Sequence, residues 1–241
     1  MKPAPFDYHR PGTLDEALAL LAADPDAKPL AGGQSLVPML NFRLARPSAL
    51  VDLGGIGELA GIRVEGDALV VGAMTRQWDL EHADEAPALL REALAHVGHT
   101  STRCRGTVGG SLVHADPTAE LPVCALALGA ELVTDRRTIP AGEFFQAVFT
   151  TALEPGELLV EVRFPRVDGP SAFEEHAHRH GDFAVVCAAL AGDRLALGGV
   201  GPTPILWDGG DLDPIGDLFA PAGYKEQLAR TLAERARRRA A

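Results

Sequence analysis

The sequence predicts an α+β fold with a large, two-lobed N-terminal domain and a small C-terminal domain of one antiparallel sheet and one helix. Helix-like and strand-like patterns alternate through the first 165 residues. A predicted β-hairpin occupies the place where a parallel unit would need a crossover helix, and three strand-like runs joined by short turns follow residue 170. With 241 residues the chain is long enough to bury a sizeable core in this arrangement.

Composition narrows the class of protein. The N-terminal Met1-Lys-Pro-Ala-Pro-Phe6 lacks the apolar core of a signal peptide, and no apolar run approaches the roughly 20 residues of a membrane span, so we expect a cytoplasmic protein. A formal net charge of −11 argues against nucleic acid or an anionic membrane as the main partner. Cys104, Cys124 and Cys187 form no Cys-x-x-Cys pair, which excludes a self-contained iron–sulfur or zinc site of the usual spacing; each is expected to be buried.

The first predicted lobe, residues 1–56, begins with a capped helix. Thr13-Leu-Asp-Glu16 is a capping-box pattern, and Asp24-Pro25 ends the helix that follows. Ser35 is expected to cap a second helix, with Pro38 tolerated in its first turn. The remaining elements of this lobe are predicted as strand, helix and strand at 28–31, 35–44 and 49–53.

The second predicted lobe, residues 57–168, starts with a false dinucleotide motif. Gly55-x-Gly57-x-x-Ala60 fits the relaxed fingerprint, but residues 62–64 and 69–71 predict a β-hairpin where the fingerprint needs a helix. We therefore interpret these glycines as a connection between lobes. The later elements are predicted as a short helix from Thr75, helices at 84–96 and 119–128 ended by Gly98 and Gly129, and strands at 130–134 and 158–164; residues 99–106 are expected to be a polar coil.

The predicted C-terminal domain, residues 169–241, follows a proline-bounded break at 165–170. Three strands are expected at 171–178, 184–191 and 195–200, followed by a loop at 201–223. A last helix at 224–238 carries Tyr224, Leu228 and Leu232 as its apolar stripe. Its closing Glu234-Arg-Ala-Arg-Arg-Arg239 is explained either by the helix dipole or by docking of a partner.

Two glycine motifs carry the strongest functional signal. The first is Ala31-Gly32-Gly33-Gln34-Ser35-Leu36, and the second, 75 residues or so later, is Thr107-Val108-Gly109-Gly110-Ser111. A Gly-Gly pair lets a ligand approach the main chain closely, and consecutive N–H groups form an anion-binding concavity. Neither motif is a P-loop, because no Gly-Lys-Ser/Thr follows. Together they predict a binding site that contacts a long phosphate-bearing ligand from two sides. Because the protein is acidic overall, local hydrogen-bond donors would have to hold the phosphates.

Five stretches resemble the FAD-binding medium subunit of the molybdenum hydroxylases, the family of carbon monoxide dehydrogenase and xanthine dehydrogenase. These stretches are Phe6-Asp-Tyr-His-Arg-Pro11, Pro29-Leu-Ala-Gly-Gly-Gln-Ser-Leu-Val-Pro38, Leu50-Val-Asp-Leu53, Val71-Gly-Ala-Met-Thr75 and Arg105-Gly-Thr-Val-Gly-Gly-Ser-Leu112. The likeness continues in the right order through 115–122, 154–159 and 180–184. The resemblance implies a two-lobed FAD-binding domain of the vanillyl-alcohol-oxidase (PCMH) type.

The resemblance also implies roles for individual residues. Residues 31–36 would hold one side of the FAD diphosphate and residues 107–111 the other. Glu120 matches an acidic position that contacts the adenosine end, and Leu159 matches an aliphatic contact near it. Gln34 stands where some relatives of the fold carry a histidine linked to flavin, so non-covalent FAD is expected. No catalytic residue and no metal ligand is predicted in this chain.

The function implied is that of an electron-transferring subunit. A molybdenum cofactor in a large partner subunit would oxidise the substrate, [2Fe-2S] clusters in a small partner would pass the electrons to FAD, and an external acceptor would take them. Two departures from the family pattern are Glu174, where the xanthine dehydrogenase branch has a lysine, and a C-terminal domain that is shorter after Gly201. A non-catalytic assembly protein and a stand-alone flavin reductase are the alternative hypotheses.

Two further groups of residues admit functional and structural interpretations. His176, His178 and His180 alternate and would share one face of a strand, as zinc or copper ligands or as a solvated edge. His114 and Asp116 are either a proton relay to the flavin or loop and cap residues.

Overall fold

The computed structural model describes residues 1–240, which form a mixture of helices and strands, as the predicted α+β class requires. The helices are α1 (Leu14–Ala23), α2 (Leu36–Asn41), α3 (Gln77–Glu81), α4 (Ala88–His96), α5 (Thr100–Arg103), α6 (Val108–His114), α7 (Glu120–Leu128), α8 (Ala141–Phe144) and α9 (Ala222–Ala240). The strands are β1 (Asp7–His9), β2 (Lys28–Leu30), β3 (Ala49–Asp52), β4 (Ile62–Glu65), β5 (Ala68–Gly72), β6 (Glu131–Thr134), β7 (Thr138–Pro140), β8 (Phe145–Ala147), β9 (Thr150–Thr151), β10 (Leu159–Pro165), β11 (Ser171–Ala177), β12 (Ala184–Ala191), β13 (Arg194–Gly198) and β14 (Ile205–Leu206). The sequence does not predict β1, β7, α8, β8 and β9, all of which are four residues long or shorter. Within residues 1–240, no helix combines the length and the apolar character needed to cross a membrane.

The first lobe is a three-stranded parallel sheet in the order β1-β3-β2, covered by α1. Thr13 caps α1 as predicted, because its hydroxyl accepts the N–H of Glu16 at 3.3 Å. The reciprocal bond of the capping box is shifted by one residue, since the Glu16 carboxylate accepts the N–H of Gly12 instead. Ala17, Val51 and Leu59 are fully buried in the small core of this lobe.

The second lobe is built on a five-stranded antiparallel sheet in the order β4-β5-β10-β6-β7. The strands β4 and β5 form the predicted hairpin, and residues 53–59 make two short 3-10 turns in place of a crossover helix. The interpretation of Gly55 and Gly57 as a connection is therefore correct. The helix α7 is buried along its whole length and joins this sheet to the next one.

The C-terminal sheet has four antiparallel strands in the order β11-β12-β13-β14, as the sequence predicts for its first three strands. Every residue of β12 is buried, because helices cover both faces of this sheet. Cys187 and Ala189 lie in the core shared with α4 and α7, whereas Val186 and Ala188 belong to the core that packs on α9.

Some predicted boundaries are wrong for local reasons. The second helix ends at Asn41 rather than 44, because Arg43 is left-handed at φ 59° and the N–H groups of Leu44 and Ala45 both turn back to the Met39 carbonyl. The fourth helix begins only at Ala88, since proline at 87 disfavours helical backbone in the residue before it.

Tertiary contacts override three other predictions. The predicted coil at 99–106 contains α5, which the buried Arg103 anchors through bonds to the Glu81 carboxylate at 2.6 Å and the Val97 carbonyl at 3.0 Å. The predicted loop at 201–223 contains β14. The apolar stripe of α9 also differs: Ala229, Leu232, Ala233 and Ala236 are buried, while Tyr224 is exposed.

Candidate functional site

The first glycine motif is an open loop between β2 and α2. Gly33 adopts a left-handed φ of +71°, which a residue with a side chain rarely adopts. Its carbonyl accepts the Val37 N–H at 3.0 Å and so closes the turn. Within residues 1–240, the backbone N–H groups of Gly32, Gly33, Gln34 and Ser35 have no protein acceptor. Four consecutive free donors are the feature that an anion-binding concavity requires.

Two side chains of this loop differ from expectation. Ser35 makes no cap bond to α2, because its backbone already has helical angles (φ −97°, ψ −48°). The prediction of a Ser35 cap is therefore wrong, and its hydroxyl remains available. The Gln34 amide donates to the Gly32 carbonyl at 3.2 Å, which stiffens the loop from its solvent side.

The second glycine motif is the first turn of α6 rather than a loop. The Thr107 hydroxyl accepts the Gly110 N–H at 3.1 Å and caps the helix. Val108 donates to the Thr75 carbonyl at 3.0 Å, and Gly109 donates to the Ala73 carbonyl at 2.8 Å. Most N–H groups of this turn are therefore satisfied by the protein itself. In the part of the chain that the structure describes, the Thr107 N–H and the Ser111 hydroxyl have no protein partner.

The fold brings the two motifs into contact. A β-carbon on Gly32 would lie 2.4 Å from the Arg105 carbonyl oxygen and 2.8 Å from the Gly106 α-carbon. One on Gly110 would lie 3.5 Å from the Ala31 β-carbon. At position 32 only glycine permits this approach, whereas the Gly110 distance is an ordinary contact, and together they place the two motifs at the seam between the lobes. The free N–H groups of the first motif therefore lie beside the start of α6.

A cavity of about 450 Å³ opens beside the first loop. It is lined by the loop itself, by Asp52, and by three arginines from separate segments, Arg10, Arg76 and Arg105. The Asp52 carboxylate is engaged, because it accepts the Tyr8 hydroxyl and the Gly54 N–H. No motif in the sequence marks these three arginines as ligands. Two of them could nevertheless have been identified from the sequence. Arg10 lies inside a stretch that resembles the family, and Arg105 lies directly before the second glycine motif.

Glu120 and Leu159 are not among the residues that line this cavity. Glu120 is the first residue of α7, and its burial raises the pKa of the carboxyl to about 7. Leu159 begins β10 and is buried in the core of the second lobe. Leu36 is the first residue of α2 and continues the first loop. The structure thus gathers the two glycine motifs at one seam, while Glu120 and Leu159 are buried residues of α7 and β10 in the second lobe.

The histidines of the C-terminal domain do not share one strand face. β11 ends at Ala177, so His178 and His180 lie in the turn after the strand. His176 instead contacts the Tyr224 hydroxyl at 3.3 Å, and His180 lies beside His99. Among the described residues, no three His, Cys, Asp or Glu side chains are grouped as a metal site would require.

The remaining candidates have structural partners. The Asp116 carboxylate accepts both the N–H and the hydroxyl of Thr118, at 2.9 and 2.7 Å, and so fixes the turn before α7. Burial lowers the pKa of His114, whose ring packs against Phe149. Cys104 is exposed, against expectation, because it lies at the end of the short surface helix α5.

The basic C-terminus ties α9 to the body of the protein. Arg239 pairs with Glu92 of α4, and its Nη1 lies 3.1 Å from the Glu174 carboxylate on β11. The side chain of Glu174 therefore has a structural partner in this chain. Arg237 packs over the Trp207 ring, 5.8 Å from its centroid.

Comparison with known proteins gives the context for this site. Residues 4–167 match a family described as the FAD binding domain in molybdopterin dehydrogenase. The caffeine dehydrogenase subunit beta of Pseudomonas sp. (strain CBB1) is 43% identical over 228 residues, which cover 85% of this chain and 76% of that protein. The carbon monoxide dehydrogenase medium chain of Hydrogenophaga pseudoflava is 39% identical over 238 residues, covering 91% of this chain and 83% of the relative.

A solved structure extends the similarity to the whole chain. Reconstituted CO dehydrogenase from Oligotropha carboxidovorans contains a chain that superimposes with a TM-score of 0.94 at 34% identity, covering 100% of this chain and 99% of that one. The resemblance stated from the sequence and the predicted two-lobed PCMH-type fold are thereby confirmed.

Proposed function

Because this chain belongs to the family of FAD-binding domains in molybdopterin dehydrogenases, we propose that it is the FAD subunit of a multi-subunit molybdenum hydroxylase. Its relatives are dehydrogenase subunits, and the chain is accordingly an oxidoreductase subunit with an FAD-binding domain. One observation carries the proposal: four consecutive free N–H groups at residues 32–35 lie beside a cavity at the seam between the lobes.

The glycine motifs fit the diphosphate of FAD. In this proposal residues 31–36 present their free N–H groups to the phosphate oxygens, and each such charge-assisted bond contributes about 1.5–3 kcal/mol. The free N–H of Thr107 and hydroxyl of Ser111 add donors from the second motif, while Val108, Gly109 and Gly110 let α6 approach closely. Glu120 and Leu159 remain our proposed contacts for the adenosine end.

FAD supplies the redox chemistry, since it can exchange electrons with both one-electron and two-electron partners. The task of this chain is to bind and orient the cofactor. We propose that electrons reach FAD from [2Fe-2S] clusters in a small partner, downstream of a molybdenum cofactor in a large one, and leave to an external acceptor. The isolated cysteines agree with this division: Cys124 and Cys187 are buried thiols with pKa values raised by burial, and Cys104 is single.

We also propose that the functional division of the chain is 1–168 for FAD binding and 169–241 for a small C-terminal domain. The match of residues 4–167 to the family supports the boundary. The two parts share a core, however, because Phe173 and Cys187 pack with residues of α4 and α7. We therefore expect them to unfold together.

The experiment that tests the function is flavin loading followed by electron delivery. The purified chain is incubated with FAD and desalted, and its visible spectrum is recorded. We expect flavin absorption, and its bleaching on mixing with a reduced [2Fe-2S] partner subunit co-purified from the same source. A colourless chain would support a non-catalytic assembly protein instead. Sustained reduction of an acceptor by the flavin-loaded chain alone would support a stand-alone reductase.

A further inference from the structure

Three arginines converge on the cavity beside the first glycine loop from three parts of the chain. Arg10 follows β1, Arg76 precedes α3, and Arg105 follows α5. Arg10 belongs to the first lobe and the other two to the second, so they line one cavity only because the lobes pack together. Arg76 marks the seam directly, since its Nη1 donates to the same Arg105 carbonyl that Gly32 packs against.

The guanidinium groups of these three arginines are not neutralised by the protein. Within residues 1–240, none of the three has an Asp or Glu oxygen at ion-pair distance. Other arginines, such as the exposed Arg91 and Arg179, are unpaired as well, but they do not line this cavity. The distinguishing feature is therefore that three unpaired arginines line one cavity beside free backbone donors.

The cavity therefore brings together hydrogen-bond donors and positive charges, with few carboxylates among its lining residues. Its single carboxylate, Asp52, lies among these residues and already accepts two protein bonds. The four free N–H groups at 32–35 line or adjoin the same space. A guanidinium offers five N–H donors in a planar fork that matches phosphate oxygens, and only one donor of Arg76 is used by the protein.

We propose that Arg10, Arg76 and Arg105 form a cationic rim that binds the diphosphate of FAD together with the first glycine loop. This inference rests on the proposed function and adds residues that the glycine motifs do not include. Backbone N–H groups orient the phosphate oxygens but carry no net charge, whereas the arginines neutralise the two negative charges of the diphosphate. Because they come from both lobes, the bound diphosphate also holds the lobes together.

The rim has two measurable consequences. The rim contributes affinity only to ligands that carry a diphosphate. ADP therefore competes with FAD, whereas the rim does not strengthen the binding of riboflavin. The gain also depends on ionic strength, because Arg10 and Arg105 are exposed and salt screens their charges.

The test compares two double variants of the full chain. Arg76→Gln/Arg105→Gln removes two rim charges, and Arg91→Gln/Arg179→Gln removes the same charge from exposed positions away from the cavity. Flavin fluorescence gives the Kd for FAD and riboflavin, and ADP competition gives its Kd. We expect the rim variant to bind FAD and ADP about 100-fold more weakly at low salt, with a smaller ratio in 1 M NaCl. The control variant stays within about two-fold of the unaltered chain.

Thermal unfolding of each apoprotein controls for misfolding. The single variant Arg10→Gln, at an exposed side chain with no protein partner, repeats the test without touching the seam, and a loss of about ten-fold is expected. Unchanged FAD affinity in folded rim variants, or an equal loss for riboflavin, would overturn the inference and leave the proposed function intact. Failure of the unaltered chain to bind FAD would overturn both.

Discussion

The two glycine motifs have nearly the same sequence chemistry but different physical roles. The first, at 31–35, is an open loop whose N–H groups have no acceptor among the described residues. The second, at 107–111, is a helix start whose N–H groups bond to Ala73, Thr75 and Thr107. Glycine in the first motif permits a left-handed turn, and glycine in the second permits close packing. A Gly-Gly pair by itself therefore does not identify a phosphate site, and our proposal of FAD binding rests instead on the free donors of the first motif.

Gly109→Ala is the test of this difference with the largest expected effect on stability. The new β-carbon would lie 2.6 Å from that of Ala73 and 2.8 Å from its carbonyl oxygen, neither of which can move without a shift of the backbone. We expect the free energy of unfolding to fall by about 3 kcal/mol in urea titrations of the apoprotein. Gly223→Ala is the control, because its β-carbon meets nothing within 4 Å and lies in α9; it should gain about 0.5–1 kcal/mol. A fully stable Gly109→Ala would contradict the packing role.

The region behind the second motif should also respond to pH through Glu120. Its pKa is about 7 in the fold against 4.5 for the free side chain, so the folded state keeps a proton that the unfolded state has released. Stability from this proton is complete below pH 4.5 and is lost as pH rises through 7. In Glu120→Gln, the loss of free energy of unfolding over this pH range should be smaller by on the order of 1–3 kcal/mol. The exposed Glu131→Gln serves as control, and equal pH profiles for both variants would refute the assignment.

Gly33→Ala addresses the first motif. Its φ of +71° costs an alanine about 1–2 kcal/mol of stability, and the new β-carbon meets a Val37 methyl at 3.0 Å. Because relief of this strain reorients the free N–H groups, FAD affinity should fall about ten-fold or more. Gly33→Asn should recover part of both losses, since asparagine tolerates left-handed backbone. Loss of stability with unchanged FAD affinity would separate this loop from the binding site.

Removal of the helix cap should weaken stability more modestly. Thr107→Val deletes the hydroxyl that accepts the Gly110 N–H, at a cost of about 1 kcal/mol in the free energy of unfolding. Thr107→Ser keeps the hydroxyl and should restore most of it. An equal loss in the serine variant would show that the methyl group, not the cap, is the important feature.

Ser111→Ala gives the smallest expected change in stability. Its hydroxyl has no protein partner in the described part of the chain, so unfolding should shift by less than about 0.5 kcal/mol. If the hydroxyl donates to a phosphate, the Kd for FAD should nevertheless rise several-fold. Urea titration and flavin fluorescence on the same preparation measure both quantities. A clear loss of stability without any change in Kd would place Ser111 with the packing residues of its motif.

Much of the fold follows from local sequence pattern. The Thr13 cap, the hairpin after Gly57, and the stop at Gly129 were predictable because each depends on residues close in the chain. The helix α5 was not, because its polar residues are held by the buried Arg103 and its partner Glu81, 22 positions away. The meeting of Arg10, Arg76 and Arg105 at one cavity was not predictable either, since no local pattern relates Arg10 to the other two, although the flanking motifs point to Arg10 and Arg105 individually.

The two glycine motifs, the α+β class and the family resemblance can be identified from the sequence, because they depend on residue type and short-range spacing. The roles of the glycines depend instead on how the folded chain packs. The N–H groups of the second motif find acceptors on Ala73 and Thr75 once the chain has folded, whereas those of the first motif do not. Whether a backbone donor is free depends on which distant carbonyl reaches it, and packing alone sets that.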